Sequence, residues 1–204
     1  MDEIIERLDP TQWEVFRDLR LAALTDSPTA FWSDHAHEAA YAPHEWAAFV
    51  NAATWLVART ATADQLLSRR PRPNGILGLL RRPELPAEPE VIGMWVAPPA
   101  RRHGVAGRLL AEASTRAAAD GARGLTLWVL EHNDGAARLY RRHEFHFTGE
   151  QMTLPRDPGL IELRMRKVLG ADRPAGSSHP TDRVVPPAPR LTNRSQLIRP
   201  QVTA

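Results

Sequence analysis

The 204-residue sequence contains no cysteine, which excludes a disulfide framework, a thiolate zinc site and a nucleophilic thiol together. Its chemistry must come from oxygen and nitrogen side chains. No apolar run approaches the roughly 20 residues that span a bilayer. The start, Met1-Asp2-Glu3, has neither the basic nor the hydrophobic part of a signal peptide. No membrane partner is expected, and a cytoplasmic location is the default expectation. Lysine is almost missing: Lys167 is the only one among 26 basic residues. The pI near 9.6 therefore reflects arginine, which does not deprotonate in proteins, and not a large charge, because the formal net charge is only +2. Five Arg against two Asp fall within residues 171–204, a net of +3 that leaves −1 for the rest of the chain. Composition thus gives no sign of a nucleic-acid face, and no nucleic-acid partner is expected.

Residues 171–204 also lack what a core needs, with six Pro and no Phe, Trp or Tyr. So little apolar area cannot offset the entropy of ordering, and the segment reads as a Pro/Arg-rich disordered tail. The remaining 1–170 has the length of one packed domain.

Within it, Ile4 to Leu8 suits a short strand, and Asp9-Pro10 offers a cap followed by Pro at a first helical position. Trp13, Phe16, Leu19 and Ala23 repeat at helical spacing up to Thr25, and Asp26-Ser27-Pro28 stops the helix. A second helix is expected over Pro43 to Ala52, with Trp46 and Phe49 on one side. Strands follow at Trp55 to Arg59, Gly75 to Arg82 and Val91 to Val96, separated by Arg- and Pro-rich loops. After the turn Ala97-Pro98-Pro99, a helix with Val105, Leu109, Ala113 and Ala117 on its buried stripe should end at Gly121, a left-handed cap. Then come a strand from Leu125 to Leu130, a helix capped by Asn133 and carrying Ala136, Leu139, Tyr140 and His143 on one side, and two closing strands. The last, Leu160 to Val168, sets Ile161, Leu163 and Met165 on one face and Glu162, Arg164 and Arg166 on the other.

The segment Arg101-Arg102-His103-Gly104-Val105-Ala106-Gly107-Arg108 carries the chemistry. Small residues at a helix start leave backbone amides unpaired, and the helix dipole adds partial positive charge, so the loop suits an anion. It matches neither a Gly-x-Gly-x-x-Gly dinucleotide fingerprint nor a Gly-Lys-Ser/Thr phosphate loop. Together with the strand ending Trp95-Val96-Ala97-Pro98 and the following Leu109-Leu110, it resembles the coenzyme-binding motif of the GNAT N-acetyltransferase superfamily, Arg/Gln-x-x-Gly-x-Gly/Ala. The spacing from Asn133 through Ala136-Ala137 to Tyr140 and Phe145 is similar to that family too, as is Arg20-Leu21-Ala22-Ala23-Leu24-Thr25-Asp26-Ser27-Pro28-Thr29-Ala30-Phe31. The resemblance covers residues 4–168. One position departs from it: Glu144 stands where the family usually has Gly, at a turn that costs a non-Gly residue about 1–2 kcal/mol.

The resemblance implies a single α/β domain of GNAT fold, a mixed central sheet flanked by helices, using acetyl-coenzyme A as cosubstrate. It implies that the amides from His103 to Arg108, with Arg101 and Arg102, hold the pyrophosphate. The Val96 backbone would pair with the pantetheine arm where the fourth and fifth strands splay. Tyr140 would protonate the departing thiolate, a role weighed against simple packing of its ring in the core, and Asn133 would bond the coenzyme or merely cap its helix. Glu90, entering the fourth strand, is the expected general base, with Glu131 its competitor. Trp32, Tyr41 and Trp46 fall in the segment that lines the acceptor pocket in similar proteins. No metal is expected, since His35-Ala36-His37-Glu38 and His143-Glu144-Phe145-His146 lack the His-Glu-x-x-His spacing.

The expected partner is a small-molecule or peptide amine, and a homodimer is left open. A catalytically degenerate domain that only senses coenzyme A is the alternative. Deleting residues 171–204 is expected to leave the melting temperature and the acetyl-coenzyme A affinity unchanged; a loss of several degrees in a thermal scan would show that the tail docks.

Overall fold

A computed structural model describes residues 2–61, 72–154 and 157–170. Its elements are β1 (Asp2–Arg7), α1 (Trp13–Asp26), α2 (His35–Ala39), α3 (Pro43–Asn51), β2 (Thr54–Ala61), β3 (Arg72–Arg82), β4 (Leu85–Val96), α4 (Val105–Ala119), β5 (Gly124–Leu130), α5 (Asp134–Arg142), β6 (His146–Leu154) and β7 (Asp157–Val168). The segment 171–204, expected to be a tail, lies outside the described residues.

One seven-stranded sheet runs in the order β1-β2-β3-β4-β5-β7-β6. Neighbours are antiparallel except β4 and β5, which are parallel. A parallel pair needs a crossover, and α4 supplies it.

Period-two alternation sorts the side chains onto two faces. Leu56 and Ala58 of β2, Leu77 and Leu79 of β3, Val91 and Val96 of β4, and Leu125, Leu127 and Val129 of β5 form one core with Val105, Leu109, Leu110, Ala113 and Ala117 of α4. Trp55, Val57, Ile76 and Trp95 face the other way, packing on Phe16, Leu19, Ala23 and Leu24 of α1 and Trp46, Phe49 and Val50 of α3. Phe16 sits among Trp46, Phe49 and Trp55 at ring separations of 4.5 to 6.0 Å. Fully burying such a side chain is worth about 1.5–3 kcal/mol.

Several local expectations change. Helix α1 begins at Trp13, because Asp9 closes a turn instead of capping: its Oδ1 accepts from the Thr11 amide at 2.8 Å and from the Thr11 hydroxyl at 2.6 Å. Helix α2 was not anticipated; the Asp34 side chain caps it by accepting from the His37 amide at 2.9 Å. Strands β3 and β4 form a longer hairpin than the sequence suggested, with β4 running from Leu85 through Pro86 and Pro89. Proline is tolerated there because β4 has no β5 partner before Glu90.

Gly121 ends α4 as expected, at φ +78°, with the Ala122 amide donating to Ala117 O at 2.9 Å. The same bond pattern ends α5. There Phe145 N donates to Tyr140 O at 3.0 Å, and Glu144 is forced to φ +67°. The left-handed turn survives without glycine, paid for by the burial of Phe145 (0% exposed) behind it.

Glu144→Gly is expected to stabilise the fold by about 1 kcal/mol, roughly 2–4 °C in melting temperature for a domain of this size. An unchanged or lowered denaturant midpoint would show that the strain is relieved some other way.

Candidate active site

Among the described residues, β4 and β5 pair at only two positions, Glu90 with Thr126 and Val91 with Leu127. Beyond them β4 stays paired to β3 as far as Val96, and β5 stays paired to β7 as far as Leu130. Each strand keeps its outer neighbour and loses its inner one. The sheet opens in its middle, and the backbone groups that point into the gap have no ladder to join.

The cause lies in β4. Ile76 pairs with Trp95 but Gly78 pairs with Ile92, so Gly93 and Met94 together oppose Leu77. Gly93 takes φ +57°, and a Cβ there would meet the Trp55 ring at 3.0 Å. This bulge bends β4 away from β5.

Helix α4 starts at the mouth of the gap. Gly104, its cap, sits at φ +82° with no side-chain capping bond. Among the described residues no hydrogen bond uses the amides of Gly104, Val105, Ala106 or Gly107; the first donated is Arg108 N to Gly104 O at 3.1 Å. The Arg108 guanidinium folds back over this turn. Its Nη2 donates to His103 O at 3.0 Å, and Nη1 lies 3.0 Å from where a Gly104 Cβ would be. An anion seated at this helix start would be favoured by the helix dipole and by the nearby guanidinium.

The other expected ligands of that anion are placed differently. Arg101 is engaged: Nε donates to Val96 O at 3.0 Å, and its guanidinium pairs with Asp26. Arg102, at φ +65°, and His103 are exposed, and His103 Nδ1 lies 2.8 Å from Arg101 O. Val105 is buried, so only its amide is available. The smallness of Gly107 serves α5, because a Cβ there would come within 2.8 Å of His143 Nε2. Burial and then the nearby Lys167 and Arg142 hold His143 below the usual histidine range. The Asn133 side chain caps α5, its Oδ1 accepting from Ala136 N at 3.1 Å.

Tyr140 reaches the gap from the α4/α5 face. Its hydroxyl lies 3.9 Å from Met94 Sδ in the bulge, and its ring meets Phe145 edge-on at 6.0 Å. Burial pushes the phenol up to about 12. Glu90 is not brought to it. It lies at the closed end of the gap, opposite Thr126, buried and paired with Arg82 Nε at 2.6 Å. Met94 lies four positions further on, about 13 Å along a strand. Glu131 is exposed, just past the end of β5.

The opposite face holds a carboxylate that sequence reasoning did not single out. Asp26 accepts from Trp95 Nε1 at 2.9 Å, which anchors the end of α1 to β4. Beyond it, residues 27–34 run across the sheet, and Trp32 Nε1 donates to Glu162 Oε2 on β7 at 2.9 Å. Since β5 lies between β4 and β7, this segment bridges the gap. It is held down by Arg20, whose guanidinium makes a two-bond pair with Glu38 of α2 at 2.8 and 2.7 Å and stacks on Phe31 at 4.6 Å. Glu162 is 6% exposed. Desolvation outweighs the indole hydrogen bond and raises its carboxyl to about 7. Of the three expected acceptor-pocket aromatics, Trp32 stays at this bridge, whereas Trp46 is core at 1% exposure and Tyr41 packs edge-on against it at 5.3 Å.

The profile of the acetyltransferase (GNAT) family matches residues 15–145. Among solved structures, a GNAT-family acetyltransferase from Streptococcus pneumoniae superposes with a TM-score of 0.67 at 18% identity, covering 83% of this chain and 100% of that one. An N-acetyltransferase from Staphylococcus aureus Mu50 gives 0.62 at 17% identity, covering 83% and 100%. A ribosomal-protein-alanine N-acetyltransferase from Brucella melitensis gives 0.61 at 20%, covering 81% and 99%. At these identities the likeness establishes the fold. No curated protein matches the sequence.

A carboxyl raised in the folded state binds its proton more tightly there than in the unfolded chain, so it lowers stability as pH climbs from its ordinary value toward the raised one. Glu162→Gln is therefore expected to be more stable than the parent at pH 8, by about 3 kcal/mol. The difference should close below pH 4.5, which is the ordinary glutamate value. Parallel denaturation curves at both pH values check it.

Proposed function

The chain belongs to the acetyltransferase (GNAT) family, and from that premise we propose that it transfers an acetyl group from acetyl-coenzyme A to a primary amine. The observation that carries this reading is the opened sheet with free amides at its mouth. A linear amide-bearing arm can pair with the exposed edges of β4 and β5 as a strand would, while its pyrophosphate meets the Gly104 to Gly107 amides and Arg108. The thioester then lies near the bulge, where a β4 amide between Gly93 and Val96 polarises its carbonyl.

A neutral amine attacks the carbonyl carbon, and the C–S bond breaks as the tetrahedral intermediate collapses. Tyr140 supplies the proton to sulfur. A phenol at about 12 is a weaker acid than a thiol near 8.5, so Tyr140 gives its proton only as it regains one from the intermediate's nitrogen. Arg101 acts here as a positioning residue that ties the loop after β4 to Asp26.

Screening primary amines with acetyl-coenzyme A, following free thiol, tests the reading directly. Acetyl-coenzyme A should raise the melting temperature, and Gly104→Glu should abolish that rise. Tyr140→Phe should lower turnover by about 10²–10⁴-fold while the coenzyme dissociation constant stays within about twofold. A binding protein that transfers to no amine would instead be the sensor module. No heat and no melting shift at millimolar acetyl-coenzyme A would overturn the assignment.

A further inference from the structure

We infer that Glu162 is the general base of the transfer, taking the ammonium proton of a primary-amine acceptor held between the 27–34 segment and the open edge of β5. The inference rests on the transfer reading above and adds to it the acceptor side of the site.

Position is the first argument. Leu130 pairs with Glu162, and Leu130 lies three residues beyond Leu127, the last β5 position paired to β4. Met94 lies three residues beyond Val91 on the other wall. Both are about 10 Å past the point where the sheet parts. The Tyr140 hydroxyl touches Met94 from the α4/α5 face, whereas Glu162 belongs to the opposite face, because its neighbour Leu163 packs into the α4 core. Acid and base thus stand at one height on two sides of the gap. A thioester carbon threaded between them is open to a nucleophile from one side and to protonation of its leaving group on the other.

Surroundings are the second. Arg164, two residues along β7, pairs with Glu150 of β6 at 2.8 Å and lies over Trp128 at 5.8 Å. Leu130 of β5 and Met152 of β6 are the cross-strand partners of Glu162. From the bridging segment come Trp32, which donates to Glu162, and Asp34, which is occupied in capping α2. Glu162 is thus a buried carboxylate that accepts the Trp32 indole hydrogen bond, and desolvation raises its affinity for a proton. Glu90, by contrast, is buried against the Arg82 guanidinium.

The step balances. One ammonium proton passes to Glu162, directly or through one water, and leaves later to solvent. The freed nitrogen pair forms the C–N bond. The C–S pair departs with sulfur, which takes the Tyr140 proton, and the nitrogen's second proton restores Tyr140. The sum is ammonium plus thioester giving amide, thiol and one proton.

The test uses the full chain, acetyl-coenzyme A, and 2-phenylethylamine, 1,4-diaminobutane and an alanine-initiated peptide as acceptors. Wild type should acetylate at least one, with an acidic limb in kcat/KM. Glu162→Gln should lower kcat/KM at pH 7 by about 10²–10⁴-fold, leave acetyl-coenzyme A binding within twofold, and recover as pH rises toward the amine's own pKa. Trp32→Phe, which removes a hydrogen bond that favours the ionised carboxylate, should move the acidic limb to higher pH, an effect that lost packing alone does not produce. Glu162→Asp should restore part of the limb, and melting curves establish that each variant folds. A wild-type pH profile in Glu162→Gln overturns the base assignment and leaves the transferase standing. Coenzyme binding without transfer to any of the three amines overturns the acceptor class, and absence of coenzyme binding overturns the function itself.

Discussion

A sheet of seven strands ought to be continuous, and this one is not: everything at the site follows from the failure of β4 and β5 to pair beyond Val91 and Leu127. Parting two central strands exposes backbone groups that a sheet normally satisfies, at a cost of about 1–3 kcal/mol for each one left buried and unpaired. The fold tolerates this because the outer neighbours, β3 and β7, hold each wall in register and because α4 and its core cover one face of both strands. The gap thus leaves facing edges of β4 and β5 without a ladder between them.

That gap needs a bulge, and the bulge needs Gly93. The turn at residues 93 and 94 does two jobs at once, bending β4 outward and presenting Met94 to the Tyr140 hydroxyl. On the opposite face the bridging segment 27–34 depends on a chain of pairings between residues far apart in sequence. Arg20 with Glu38 joins α1 to α2, Arg101 with Asp26 joins the loop after β4 to the end of α1, and Trp32 with Glu162 joins the segment to β7. Breaking one partner of the buried Arg20–Glu38 pair would leave an uncompensated charge at a cost of about 3–5 kcal/mol. These interactions hold the bridging segment against the sheet.

Much of the scaffold was legible along the chain. Helical spacing in α1, α3 and α4, the glycine cap at Gly121 and the Asn133 cap are local signals, each set within one turn. Glu144 was legible as a departure, and the structure shows its resolution: the left-handed turn is kept and a non-glycine residue bears it. The start of α1 was misplaced because Asp9 had two competing uses, a cap or a turn, and the hydroxyl of Thr11 decided between them. The two prolines of β4 concealed a strand, since whether proline disrupts a ladder depends on whether a neighbour lies on that side.

The sequence by itself determined most of the helices and strands, the glycine-rich start of α4 and the placement of Tyr140 on a helix face, because these depend on period, cap and glycine content within some ten residues; the fold class came from its resemblance to a family. Tertiary structure alone decided how the charged groups are paired and buried. Arg101 pairs with Asp26 and Glu90 with Arg82. Glu162 looks like any polar residue on an alternating strand until Trp32, 130 residues away in the chain, covers it and strips its water. A side chain's proton affinity is set by the field and solvent around it, and those come from neighbours in space that spacing along the chain does not reveal.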